Sequence, residues 1–396
     1  MWLTQSGAPA SSRDVGGRLD TEHAAPSPLR VALVGAGLVG QAAHAITLAD
    51  DRARFDFVAV VDPSATVRNG VAARYGVPHA TATLAEAVAL GLDAVVVAVP
   101  DPAHLATCLE ALAAGLHVFC EKPLATRVED ADALIAARGD RVLQCGYMKL
   151  YDPAVERLVE LLVDGPAELV YLSVEVNDPD QLPFVDHLGL LAGRDVPADL
   201  IARTRAAGAQ AVDDTVGRPA LPAEARAFEA YLGALVHDVS LAHHLLGALG
   251  HRAPFPIADA AYFDAGRGVS LSWALHGGAR AHLTHLNLPG VGDYTERVTV
   301  FCRDRILELT FPSPYLRFHP TQLVEKRSGA DPAELRTTQH RISYEESFRN
   351  ELRAFHASVT AGAPVRASAE AARDDLRALL TALQVAAGVT PAKEED

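Results

Sequence analysis

"LRVALVGAGLVG", residues 29–40, is the stretch on which the fold is decided. The apolar run at 29–34 reads as a strand, and Gly35, Gly37 and Gly40 then fall in G-x-G-x-x-G spacing where a helix opens. Exposed N–H groups and the dipole of an opening helix can hold a pyrophosphate there, and a residue without a side chain at 37 lets the backbone approach the ligand. Gly35, Gly37, Leu38, Val39 and Gly40 are therefore candidate cofactor contacts. A glycine triplet also makes plain tight turns, so the reading needs a second signal. Asp62 supplies it, ending the next apolar run 22 residues after Gly40. A carboxylate at that point can accept hydrogen bonds from an adenosine ribose 2′-OH and repels a 2′-phosphate, which favours NAD over NADP. Arg68 stands near enough in sequence to approach such a phosphate.

Outward from this turn the chain repeats one rhythm. "FDFVAVVDP" predicts a strand at 56–61, "DAVVVAVP" one at 94–99, and "LHVFC" and "RVLQCGY" two more. Helix-length segments rich in Ala and Leu lie between them, such as 103–114 and 129–137. Continuous apolar strands alternating with helices imply a parallel sheet covered on both faces, a doubly wound α/β domain over 29–150 whose ligand sits beyond the carboxyl ends of the strands.

The whole-chain properties narrow the function. A chain of 396 residues with 49% hydrophobic composition can bury a sizeable core. Its formal charge of −15 lacks the basic footprint of a nucleic-acid protein. Four cysteines without a CxxC pair indicate neither a disulfide framework nor a zinc module, and a reducing cytoplasm fits them. Residues 1–28 are rich in Ala, Ser, Gly and Pro and predict a flexible tail without a signal-peptide core. No run of about 18 apolar residues occurs, so a membrane span is not expected.

After Tyr151 the pattern changes. "YDPAVERLVELLVDG" is an amphipathic helix with Pro153 in its first turn, and a series of alternating segments follows from "AELVYLSVEV" to "RFHPTQLVEKR". These predict a second α+β domain over 151–390 with an open, mostly antiparallel sheet, one face of which can carry a homodimer or homotetramer contact. "EESFRNELRAFHASVTAG" and "SAEAARDDLRALLTALQVAAG" predict two closing helices, the first ending at Gly362 and the second capped by Ser368. Residues 178–224 are rich in Asp, Pro and Gly and read as an irregular insertion with one helical patch at 198–207, either a lid or partner contact or a mobile excursion without function.

The order GAGLVG, VVDP, VPDPAHL, AAGLHVFCEKPLA and QCGYMKLYDPAVERL resembles the Gfo/Idh/MocA oxidoreductases, which include glucose-fructose oxidoreductase and inositol dehydrogenases. The resemblance covers residues 29 to about 175. It implies that Lys122 of the Glu-Lys-Pro signature lies between nicotinamide and substrate, that Glu121 lies close to the cofactor, and that Pro123 restricts the backbone which aims Lys122. Pro100, Asp101 and His104 leave the third strand on the same edge and count with the cofactor-facing residues. The family commonly places Asp, three residues, then His at the start of a later helix. Here His237 takes the histidine position as acid/base, whereas the position four earlier is Gly233 and the neighbouring Asp238 points about 100° round the helix. Lys149 and Tyr231 are weaker candidates for hydrogen bonds to a polyol.

No metal is expected. His243 and His244 diverge on a helix, and His282 and His285 point to opposite faces of a strand. The implied activity is NAD-dependent hydride transfer to or from a secondary alcohol or ketone of a sugar, cyclitol or similar small polar molecule. Two alternatives stay open. One is an NAD-retaining enzyme that uses transient oxidation for elimination, epimerisation or hydrolysis; the other is a nucleotide-binding regulatory protein without catalysis.

Overall fold

The computed structural model describes residues 27–164, 168–179, 181–331 and 333–390. The tail expected at 1–28 therefore lies outside the described residues, apart from 27 and 28. The first sheet contains β1 (Leu29–Val34), β2 (Phe55–Val61), β3 (His79–Thr81), β4 (Ala94–Val97), β5 (His117–Glu121) and β6 (Leu143–Gly146). Its order is β3-β2-β1-β4-β5-β6 and every pairing is parallel. The strand order reverses between β1 and β4, which opens a crevice at their carboxyl ends. Between these strands run α1 (Ala45–Asp50), α2 (Ala65–Tyr75), α3 (Leu84–Val88), α4 (His104–Ala113) and α5 (Val128–Ala137). The Val-rich strands bury both faces, as a sheet sandwiched by helices requires. Only the short β3 was not legible, because "HAT" has too few residues to show a period.

The second sheet has eight strands: β7 (Leu169–Asn177), β8 (Ile257–Phe263), β9 (Gly268–Ala274), β10 (Arg280–Leu286), β11 (Thr295–Cys302), β12 (Ile306–Phe311), β13 (Gln322–Ser328) and β14 (Leu335–His340). Its order is β14-β13-β12-β11-β7-β10-β9-β8, antiparallel except for the β7–β10 pair. Along β7 the alternation is regular: Leu172, Val174 and Val176 are buried, while Tyr171, Ser173 and Glu175 lie on the other face. That outer face is mixed rather than apolar, since Glu175 pairs in register with Arg297 and Tyr171 with Phe301.

The remaining helices are α6 (Pro153–Val163), α7 (Leu182–Val185), α8 (Ala198–Val216), α9 (Pro222–Ala230), α10 (Val236–Ala248), α11 (Ser347–Ala361) and α12 (Ala369–Ala386). The two expected helix ends are present, Ser368 accepting from Ala371 N and Gly362 ending α11 at a φ of 65°, and Asp152 caps α6 by accepting from Ala154 N. From the far end of the chain, α11 reaches back to the first sheet, where Phe355 packs on Phe119 with ring centroids 5.9 Å apart.

One expectation is overturned. Residues 178–224 are not irregular, because α8 runs for 19 residues, well beyond the patch at 198–207. Its buried stripe, Ala211, Val212, Thr215 and Val216, is confined to the last turns, so no full-length amphipathic period marks the helix. Its first half instead faces the crevice through Leu200, Ile201 and Thr204.

Candidate active site

The β1 exit brings three glycines to bear for different reasons. Gly35 has a φ of +87°, and a Cβ on it would meet the Ala98 carbonyl at 2.5 Å; a Cβ on Gly40 would meet the Gly35 carbonyl at 2.5 Å. Gly37 has no atom within 4 Å of such a position, so its surface is left open to the crevice. Asp62 accepts from Ala36 N through one oxygen and from Ser64 N through the other, each at 2.9 Å. The carboxylate is thereby held at the edge of the glycine turn.

The crevice measures about 910 Å³ and is lined by Gly35, Gly37, Leu38, Val39, Asp62, Pro100, Asp101, His104, Glu121 and Lys122. Every residue predicted from sequence to face the cofactor is among them except Gly40, which is packed beneath the turn. The open cradle at Gly37 and the volume of the crevice fit a dinucleotide. His104 contributes by tying loops together: its ring nitrogens lie 2.7 Å from the Pro123 carbonyl and 3.0 Å from that of Val99.

At its inner end the crevice meets a smaller cavity of about 110 Å³, sharing Val39, Glu121 and Lys122 with it. Its walls add Lys149, Asp178, Gly233, His237, Asp238, Tyr294 and Tyr315. The Lys122–Pro123 peptide is cis, and Lys122 Nζ donates to the Gly233 carbonyl at 2.6 Å. Residues Tyr231–Leu235 form a turn of π-helix, and it is the main-chain carbonyl of Gly233 that this turn offers to Lys122.

His237 has its Nδ1 buried without a hydrogen-bond partner among the described residues. Burial, and then the charges of Lys122 and Lys149, hold its imidazole well below the usual histidine range. His237 is therefore neutral at pH 7.

Lys149 is clamped, its Nζ 2.8 Å from Asp238 and 2.7 Å from Glu296. Burial would lower its ammonium, but the two carboxylates outweigh this and raise it. Burial also pushes Asp238 up to about 7, with Lys149 pulling the other way and Glu296 adding to the rise. Asp178, at the end of β7, is pushed up to about 6 by burial against the charges of Lys149 and Lys122. Asp178, Glu296 and Tyr294 were missed in the sequence, where no local spacing links them to Lys122.

Tyr231 is removed from the site. It is fully buried, with its hydroxyl 3.2 Å from the Ala261 carbonyl and 3.0 Å from that of Ser270, so it locks a helix turn to β8 and β9. Behind Lys122, Glu121 lies 2.7 Å from His44 Nε2 and accepts from Lys122 N at 3.1 Å. Burial would raise the Glu121 carboxyl, but His44 and Lys122 hold it below the ordinary range. Glu351 completes this buried group, in which one ligand atom from each of His44, Glu121 and Glu351 lies within 4.8 Å of the others. The histidine pairs considered in the sequence take no part in it.

Taken together, a six-stranded parallel sheet with a glycine turn and a carboxylate at its switch point define a dinucleotide-binding fold. Comparison with known proteins agrees. Residues 29–147 match the GFO_IDH_MocA family, described as an oxidoreductase family with an NAD-binding Rossmann fold. Among curated relatives, inositol 2-dehydrogenase 3 of Saccharopolyspora erythraea is 38% identical over 171 residues, covering 41% of this chain and 49% of the relative. Thus the match spans about half the length of that relative. A 4-carboxy-2-hydroxymuconate-6-semialdehyde dehydrogenase of Sphingobium is 29% identical over 37% of this chain and 47% of its own. The UDP-N-acetylglucosamine 3-dehydrogenase GnnA of Acidithiobacillus ferrooxidans shares the fold over 91% of this chain and 97% of its own, with a TM-score of 0.66 and 22% identity. No helix among the described residues is long and apolar enough to cross a membrane.

Proposed function

We propose that the chain transfers a hydride between NAD and a secondary alcohol or ketone of a cyclitol, sugar or similar polar molecule. The observation that carries this reading is the joint between the two cavities, where Lys122 and His237 line one small polar pocket that opens into the dinucleotide crevice. Bound NAD supplies a hydride acceptor, and its reduced form a donor. Lys122 contributes a fixed positive charge beside the reacting oxygen, which stabilises alkoxide character as the C–H bond breaks. His237, held neutral, takes the hydroxyl proton in oxidation and returns it in reduction. Asp178 and the Lys149–Asp238 pair offer acceptors and a donor for further substrate hydroxyls. The open outer face of the large sheet, with Val170 and the Tyr171–Phe301 ring pair, is the surface we assign to self-association.

The test is absorbance of NADH during a screen of cyclitols, sugars and sugar nucleotides, with intact-complex mass spectrometry on the purified protein. NADH formation with a polyol is the expected result. A second reading, in which NAD remains bound and is reduced and reoxidised within one turnover, is favoured by the strap that the insertion lays across the crevice. Leu191 in that strap is bonded at both its N–H and its carbonyl by Gln41. Turnover with bound NAD and no NADH release would select it.

A further inference from the structure

The insertion between β7 and α8 does more than cover the crevice. Leu191 N donates to Gln41 Oε1 at 2.8 Å and its carbonyl accepts from Gln41 Nε2 at 3.0 Å. Its side chain sits in the notch left by Gly70 of α2, where a Cβ would lie 2.4 Å from Leu191 Cδ1. The strap is thus seated on α2 at a defined register. Four residues further on, the Asp195 carboxylate accepts from the Ser64 hydroxyl and, at 3.1 Å, from Thr66 N. Gly193 and Val196, on either side of it, line the same crevice as Asp62 and Pro63. Hydrogen bonds, that from Ser64 foremost, drive the Asp195 carboxyl down to about 2, so it is an anion at any pH of interest.

Without Asp195, this turn would carry the equipment of a phosphate site. Ser64 caps the 11-residue helix α2, whose first-turn N–H groups include Thr66. Arg68 lies over the turn, its guanidinium 3.2 Å from the Asp62 carbonyl and 3.1 Å from that of Pro63. A hydroxyl, a helix N-terminus and a guanidinium together attract a phosphate monoester. In dinucleotide folds the end of the second strand is also where the ribose 2′-OH or 2′-phosphate is read. Asp62 by itself leaves Ser64 Oγ, Thr66 N and Arg68 available to a phosphate displaced by a few ångströms.

We propose that Asp195 is a specificity-determining residue for the cofactor, excluding NADP by placing its own carboxylate on the donors that a 2′-phosphate would need. The inference rests on the dinucleotide reading of the crevice and adds to it that discrimination is shared between β2 and the insertion. Two anions from distant parts of the chain, Asp62 and Asp195, converge on residues 62–66. Discrimination is then complete only while the strap is seated.

The test is equilibrium binding of NADH and of NADPH to the full chain, followed by nicotinamide fluorescence, for the parent protein, Asp195→Asn and Asp195→Ala. Asp195 is exposed, so both variants keep the core intact. The parent is expected to prefer NADH. In both variants the ratio of the NADPH to the NADH dissociation constant should fall by about tenfold or more, since one like charge is removed in each and the donors Ser64 Oγ and Thr66 N are released, both in Asp195→Ala and one in Asp195→Asn, whose amide oxygen still accepts. Using the ratio cancels any general loosening of the strap. A ratio unchanged in both variants, including the case where both nucleotides weaken together, would overturn the proposal and leave Asp195 as a latch only. A parent protein that binds NADPH as tightly as NADH would overturn it while leaving the dinucleotide reading in place. Failure of the parent to bind either nucleotide would overturn both.

Discussion

The Lys122 ammonium donates to the main-chain carbonyl of Gly233 at 2.6 Å across 111 residues of sequence. A carbonyl orients the lysine as a carboxylate would, but it neither neutralises the charge nor accepts a proton. In the proposed reaction this contact orients Lys122 without neutralising it. Replacing it by Met should lower kcat/KM by about 10² to 10³, the cost of deleting one preorganised donor, while NADH binding by fluorescence moves only a few fold.

Gly233 has open space where a side chain would start, with no atom within 4 Å of an ideal Cβ position. Gly233→Asp should thus fold with a stability change within about 1 kcal/mol, measured by urea denaturation. The new carboxylate would face Lys122 and raise the proton affinity of His237. An additional limb near neutral pH should then enter the pH–rate profile, and a profile identical to the parent's would show that residue 233 does not communicate with His237.

His237 is neutral across the working range, whereas Asp178 and Asp238 sit at about 6 and about 7. His237→Asn should lower turnover by about 10² to 10⁴ while leaving a limb at about pH 6 to 7 in place. Asp238→Asn should move that limb. Loss of the limb in His237→Asn alone would mean that the histidine titrates after all.

The same raised carboxyls make stability depend on pH in a stated direction. Between the ordinary carboxyl value and about 7, the folded protein binds more protons at Asp238 than the unfolded chain does, so the contribution of this group to stability falls as pH rises through that window. Each tenfold difference in proton affinity between the two states corresponds to about 1.4 kcal/mol. His237, held low by burial, contributes the opposite slope in the acid part of this range, so the Asp238 contribution is read as a difference: in thermal unfolding from about pH 5 to 8, the stability of the parent relative to Asp238→Asn should decline as pH rises.

Tyr231→Phe separates packing from catalysis. Deleting the hydroxyl removes a buried hydrogen bond to β8 and β9 and should cost about 1 kcal/mol in denaturant unfolding. Because the ring is fully buried behind the cavity wall, kcat/KM should stay at the parental value. A large kinetic effect with unchanged stability would return Tyr231 to the substrate.

What the amino-acid sequence determined by itself is whatever depends on neighbours within a turn or two. The 29–34 strand, the glycine turn, Asp62, the caps at Ser368 and Gly362 and the switch from parallel to antiparallel patterning were legible, because period and capping chemistry act locally. So was the edge that gathers Pro100, Glu121 and Lys122, since every strand of a parallel sheet ends on the same side. Tertiary structure alone decided the rest. The Lys149–Asp238 pair spans 89 residues and the Ser64–Asp195 contact 131, and no spacing rule relates residues so far apart. Burial is likewise a property of the packed chain, and it is what keeps the His237 imidazole neutral. It also took Tyr231 out of the site. The helix at 198–216 was hidden for a related reason: its apolar side is split between the core and the crevice, so its residues show no single stripe until the first domain is there to receive them.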